Sequence, residues 1–186
     1  MLGAVLTQNT AWTNVERALA ALSAEIPLEA DAVLALPETE LARLIRPAGY
    51  FNVKARRLRA FCAWFLDAGG WPALTPLATS DLRARLLDIH GIGPETADDM
   101  LLYAFERPVF VVDAYTRRLF TRLGLLQGDE DYEAIRVLLE RHLGPGVALF
   151  NEYHALIVQH AKHVCRGRAP RCNGCCLSGV CPAGMT

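Results

Sequence analysis

Apolar residues recur at helical spacing along nearly the whole chain. Val15, Leu19 and Leu22 mark one stripe, and Leu58, Phe61, Cys62 and Phe65 mark a second, on a helix that Gly69 and Gly70 end. Leu82, Leu86 and Ile89 follow Ser80, a preferred helix-capping residue. Met100, Leu101, Ala104 and Phe105 fit a helix opening at Pro94, and Ile135, Leu138 and Leu139 fit one stopping near Gly144 and Pro145. Leu149, Tyr153, Leu156, Ile157 and His160 fit a long last helix running into Cys165. The run Val109–Val112 has the composition of a buried strand. A single run cannot build a sheet, so it reads as extended chain entering a helix near Asp113. Met1–Gln8 is apolar and core-like from its first residue, as though a preceding helix had been left off. The pattern predicts an all-α fold of many short helices, with short connections and no repeats.

Composition narrows the function classes. A chain of 186 residues, 52% of them hydrophobic, can bury a real core in one domain or two small ones. No apolar run approaches the length of a membrane span, which argues against a membrane partner. No apolar stretch with basic flank and cleavage site marks the chain for export, so the expected location is cytoplasmic. A formal charge of −1 argues against a uniformly basic nucleic-acid binder. Arginines nevertheless cluster at Arg56, Arg57 and Arg59, at Arg117, Arg118 and Arg122, and at Arg166, Arg168 and Arg171. These are either solvated faces or contacts for an anionic partner. Only Lys54 and Lys162 are lysines.

Five of the six cysteines lie in the last 22 residues, four of them spaced Cys165-x6-Cys172-x2-Cys175-x5-Cys181. A disulfide framework suits a short secreted chain, whereas thiols at short fixed intervals in a reducing compartment suit a metal. The spacing by itself admits a zinc ion or an iron–sulfur cluster. It also leaves Cys176 as an alternative to Cys175.

His90-Gly91-Ile92-Gly93-Pro94 separates two helical stretches within residues 81 to 105. Gly91 and Gly93 permit a tight turn, Ile92 can plug the space between the helices, and Pro94 suits a first helical position. The arrangement is a helix-hairpin-helix. Its second helix would present backbone N–H groups that bind phosphate without reading sequence. Asp113 follows the apolar run Phe110–Val112 directly and has the residue type of a helix cap. Capping would orient its carboxylate and stabilise the charged form.

The hairpin, the Val112-Asp113 segment and the four-cysteine tail together resemble the endonuclease III group of helix-hairpin-helix DNA glycosylases. Leu6-Thr7-Gln8-Asn9-Thr10 and Gly49-Tyr50-Phe51-Asn52-Val53-Lys54-Ala55 are similar to two further segments of that family. The resemblance covers essentially the whole chain. It implies a six-helix barrel module at about residues 2 to 107 and a smaller helical module at 108 to 186 holding a [4Fe–4S] cluster. Cys165, Cys172, Cys175 and Cys181 would be the ligands, with Cys176 a spare thiol. It implies damaged double-stranded DNA as the partner of a monomeric enzyme, with Asp113 as the catalytic carboxylate. Gln8, Tyr50, Gly91, Ile92, Gly93, Thr96, Arg117, Arg166, Arg168 and Arg171 would face the DNA.

A glycosylase flips the damaged nucleotide out of the stack, and a fixed carboxylate stabilises the charge that develops on the sugar. Bifunctional members add a lysine from the hairpin helix, which forms a Schiff base and cuts the strand. Glu95 stands at that position, and a carboxylate cannot form an imine. The expected activity is therefore monofunctional. The pattern Gly-Ile-Gly-Pro-Glu-Thr-Ala-Asp, followed by Val-Asp-Ala-Tyr-Thr-Arg-Arg, resembles a subgroup that removes alkylated purines such as 3-methyladenine. The alternatives are an oxidised-pyrimidine glycosylase with weak lyase activity, a non-catalytic lesion-binding protein, and a protein whose cluster is itself the function.

Overall fold

The computed structural model describes residues 1 to 184. Among them are eleven α-helices and no strand: α1 (Leu2–Leu6), α2 (Trp12–Ser23), α3 (Ala30–Ala35), α4 (Glu38–Leu44), α5 (Phe51–Asp67), α6 (Gly70–Leu74), α7 (Thr79–Leu87), α8 (Pro94–Tyr103), α9 (Ala114–Arg122), α10 (Tyr132–Leu143) and α11 (Val147–His163). The fold is all-α. None of these helices is long and apolar enough to cross a membrane. The chain divides into two compact units, Met1–Met100 and Leu101 onward, and the division falls within α8.

The first unit is organised on α5, against which α1, α3 and α4 pack. Leu58, Phe61 and Cys62 of α5 are buried with Val5, Leu6, Val33 and Leu41. Burial pushes the Cys62 thiol up to about 11, so it stays protonated. The least expected member of this core is Lys54, which is 1% exposed. Its ammonium donates to the carbonyls of Leu6 (2.9 Å) and Ala48 (2.7 Å) and so ties α1 to the turn that precedes α5. Desolvation lowers its pKa, with Arg57 adding to the effect. In the hairpin, Arg83 of α7 and Asp98 of α8 form a bidentate pair, with Nε to Oδ1 at 2.7 Å and Nη2 to Oδ2 at 3.0 Å. The Asp98 side chain is wholly buried, which the pair makes tolerable.

In the second unit α9 packs against α11 over a core that includes Phe110, Val112, Leu119, Phe120, Ile135 and Phe150. Residues 109 to 112 are buried and extended but have no strand partner. Side chains take two of their N–H groups, Phe110 N donating to Glu140 Oε1 (2.9 Å) and Val112 N lying 3.4 Å from Tyr132 Oη, while Val109 N donates to Arg107 O at 2.8 Å. Phe110 and Phe150 meet edge to face, with centroids 5.4 Å apart.

One local expectation is corrected. Ser80 does not cap α7, which starts at Thr79 after Ala78 in an extended conformation. Ser80 sits in the first turn, and its hydroxyl turns to Asp81 Oδ1 at 3.4 Å.

Candidate functional site

The hairpin is built around two glycines with different tasks. Gly91 has φ +86°, and a Cβ there would meet the Arg57 side chain at 2.5 Å. Arg57 therefore lies directly over the turn, and a bare Cα is what lets it do so. At Gly93 a Cβ would meet nothing within 4 Å. Its missing side chain leaves the backbone open at the point where α8 begins. Gln8 braces the same turn. Its Nε2 donates to Gly91 O and to Thr96 Oγ1, both at 3.0 Å, and its Oε1 accepts a hydrogen bond from Arg57 Nη1. Ile92 and Thr96 are buried, while Gly93, Pro94 and Glu95 are exposed.

Tyr50 precedes α5 with φ 44° and ψ 34°, a left-handed conformation that is uncommon for a bulky side chain. Its ring is 71% exposed. The backbone cost of this position is not offset by packing of the ring against its own chain. An aromatic side chain held outward in this way is available to a partner.

Asp113 caps α9. Its Oδ1 accepts from Thr116 N (2.7 Å) and from Thr116 Oγ1 (2.9 Å). This uses one carboxylate oxygen and leaves Oδ2, which lies 3.6 Å from His154 Nε2. Burial pulls the Asp113 pKa upward. The His154 imidazole and the Thr116 hydrogen bonds outweigh it, and the carboxyl is held below its ordinary value of 3.8. The site thus holds an ionised, mostly buried carboxylate with one oxygen uncommitted to the cap.

Further along the same unit, Cys165, Cys172, Cys175 and Cys181 line one cavity of ≈ 50 Å³ together with Leu119, Leu123, Val164 and Leu177. Cys176 is exposed and is not in that lining. All the cysteines are free thiols. Among the described residues, no three His, Cys, Asp or Glu side chains are gathered closely enough to hold a metal ion. Arg122 anchors the start of the loop: Nη1 donates to Arg166 O (2.7 Å) and Cys165 Sγ (3.3 Å), and Nη2 donates to Gly167 O (3.0 Å). Leu177 N donates to Cys175 Sγ at 3.4 Å, and His160 Nε2 lies 3.7 Å from the same sulfur. Cys165, Cys172, Cys175 and Cys181 are thus four soft donors lining one apolar cavity, with N–H groups directed at two of the sulfurs.

The family model described as HhH-GPD superfamily base excision DNA repair protein matches residues 2–145. The chain belongs to this superfamily. Within the HhH-GPD proteins it is similar to a protein of Methanocaldococcus jannaschii provisionally named a DNA repair glycosylase. The two are 45% identical over 184 residues, which is 97% of this chain and 83% of that one. Endonuclease III of Treponema pallidum is 29% identical over 181 residues, covering 97% and 81%. Among solved structures, endonuclease III in a non-covalent DNA complex shares the fold, with TM-score 0.84, 24% identity, and 99% and 82% of the two chains covered. The 3-methyladenine DNA glycosylase of H. pylori, bound to 1,N6-ethenoadenine, has TM-score 0.74 and 30% identity, covering 87% and 82%. The chain is an endonuclease III-like member of the HhH-GPD superfamily.

The structure gives the expected HhH-GPD residues varied surroundings. Arg117 donates to Glu130 O (2.7 Å), so its guanidinium supports a loop of its own unit. Arg166 is half-buried and reaches Ala169 O at 3.2 Å, whereas Arg168 and Arg171 are exposed. Two residues carry roles that no sequence spacing marks. His154 faces Asp113 from α11, and Arg122 ties α9 to the cysteine loop. The buried face of α11 is Phe150, His154, Ile157 and Ala161, whereas Leu149 and Leu156 of the expected stripe are exposed, and nothing in the sequence pairs His154 with Asp113.

Proposed function

We propose that this chain is a monofunctional DNA glycosylase, which hydrolyses the N-glycosidic bond of a damaged base flipped from duplex DNA and leaves the strand uncut. The observation that carries the reading is the Asp113 carboxylate. It is held ionised, anchored through Oδ1 by the α9 cap, and has Oδ2 left for chemistry. As the base departs, positive charge grows on the sugar, and a preorganised anion stabilises it. The same carboxylate accepts a proton from the attacking water.

The lysine positions support hydrolysis without strand cleavage. Glu95 occupies the hairpin-helix position where bifunctional relatives carry their amine. Lys54 has its ammonium buried on two carbonyls. Lys162 lies over the Tyr115 ring, 5.8 Å from its centroid, on the helix that leads to the cysteines. Neither lysine is at the hairpin.

An alkylated purine is the favoured substrate class, supported by the likeness to the H. pylori 3-methyladenine DNA glycosylase at 30% identity. Such bases are cationic and leave readily, so a site built on a single carboxylate suffices. The exposed ring of Tyr50 would stack in the space vacated by the flipped nucleotide. The open backbone at Gly93 and the exposed Arg168 and Arg171 would meet phosphates. Gln8, Ile92 and Thr96 would act by holding the hairpin in shape.

Cys165, Cys172, Cys175 and Cys181 would hold a [4Fe–4S] cluster, with Cys175 and not Cys176 as the third ligand. Bound there, the cluster would cross-link a C-terminal segment that has little apolar packing of its own.

The test is a panel of duplexes carrying 3-methyladenine, thymine glycol or uracil, with the released base identified by mass spectrometry and borohydride added in parallel. Release of the alkylated purine with no trapped adduct is the expected result. A borohydride-trapped protein–DNA adduct would overturn the monofunctional reading.

A further inference from the structure

We propose that His154 is a positioning residue for Asp113, and that the Tyr103 hydroxyl sets the tautomer of His154. The inference rests on the reading of Asp113 as the catalytic carboxylate and adds to it the group that aims the carboxylate. Asp113 Oδ1 is committed to the α9 cap, so the orientation of Oδ2 depends on what stands beside it. That neighbour is His154 Nε2, 3.6 Å away. The imidazole is 8% exposed, and Nε2 is buried with no hydrogen-bond partner. A buried polar atom left unpaired is costly, and Oδ2 is an acceptor within reach of it. The gap is longer than a hydrogen bond, as apo catalytic contacts often are before substrate tightens them.

The other ring nitrogen decides which proton is available. His154 Nδ1 lies 2.6 Å from the Tyr103 hydroxyl. A phenol that donates to Nδ1 leaves the imidazole proton on Nε2, where it points at the carboxylate. With the proton on Nδ1 instead, a lone pair would face an anion. The ring itself is fixed: the Phe110 ring meets it edge to face, with centroids 6.3 Å apart and planes at 84°. The sequence Tyr103 O–H to His154 Nδ1, then His154 Nε2–H to Asp113 Oδ2, gives each donor one acceptor. Tyr103 is half-exposed, so the chain starts at the surface of the unit and ends on the proposed catalytic oxygen.

Two measurements on this chain test the proposal. The first is the imidazole tautomer of His154, read by long-range 15N–1H correlation; Nε2 protonated and Nδ1 bare is expected, and a proton on Nδ1 overturns the proposal. The second is the single-turnover release of methylated purines from duplex DNA at saturating enzyme, beside DNA affinity and Tm. His154→Phe is expected to slow release about tenfold to a hundredfold, the scale of a misplaced catalytic group, with affinity unchanged. His154→Gln, which keeps an N–H donor, should recover part of that loss. Tyr103→Phe should slow release in the wild-type background and have no further effect in His154→Phe. Tyr103 is 49% exposed, so Tyr103→Phe is the milder substitution and keeps the test open should His154→Phe be unstable. If Asp113→Asn is inactive while His154→Phe and Tyr103→Phe both run at the wild-type rate, the positioning role is wrong and the Asp113 reading stands. If Asp113→Asn retains full activity, both fall.

Discussion

At the scale of single residues, the site depends on a carboxylate kept charged against its own burial. Asp113 has a folded pKa below the ordinary 3.8, because the His154 imidazole and Thr116 outweigh desolvation. A depressed acid stabilises the fold above its unfolded pKa and loses that contribution as pH falls through the folded value. The acid limb of the release rate should accordingly lie below the ordinary carboxylate range, and Thr116→Val should move it upward. A pH–rate profile under single-turnover conditions checks both. Lys54 is a second charge kept inside the fold, its ammonium held on two backbone carbonyls. Removing its ammonium in Lys54→Met leaves the Leu6 and Ala48 carbonyls unsatisfied, and a loss of about 1–3 kcal/mol in urea unfolding is expected. Asp113 was legible in the sequence because an apolar run leads straight into a capping residue type. His154 was not, because its contact with Asp113 is made only when α11 packs against α9.

At the scale of elements, the hairpin is held by the buried Arg83–Asp98 pair, by Gln8 and by the close approach of Arg57 to Gly91. Asp98→Ala would remove the bidentate carboxylate from a mostly buried guanidinium, and a loss of about 3–5 kcal/mol is expected by chemical denaturation. Gly91→Ala would force a residue with a Cβ into φ +86° against Arg57. The conformational part alone costs about 1–2 kcal/mol, and weaker DNA binding in a filter or anisotropy assay should accompany it. Gly93→Ala meets no atom of the chain. It should leave Tm within about 1 °C, because an exposed substitution away from special features is near neutral, while still weakening DNA binding if phosphate approaches there. Helices α2, α5, α7, α8, α10 and α11 were readable from apolar spacing and punctuating Gly and Pro residues, and α9 from the capping residue type that precedes it. Helices α3, α4 and α6 were not, since five to seven residues show less than two full turns of pattern. The buried run before α9 looked like a strand, and it stays extended because Glu140 and Tyr132 supply its hydrogen bonds.

At the scale of the molecule, a chain of nearly neutral net charge carries a DNA-repair fold whose proposed phosphate contacts are local. Of the clustered arginines, Arg117, Arg118 and Arg122 each donate to a backbone carbonyl of their own unit. Their side-chain partners are tertiary, so spacing could not separate them from Arg168 and Arg171, which are exposed. Of the two adjacent thiols, Cys175 lines the cavity and the exposed Cys176 does not. Iron content and visible absorption should be lost in Cys175→Ser and kept in Cys176→Ser. The central claim is that base release is hydrolytic and requires Asp113. The most direct measurement is strand scission of an alkylated-purine duplex by the wild-type enzyme and by Asp113→Asn, each with and without hot alkali. Breaks that appear only after alkali with the wild-type enzyme, and vanish with Asp113→Asn, are the predicted result. Breaks without alkali, or release that survives in Asp113→Asn, would contradict it.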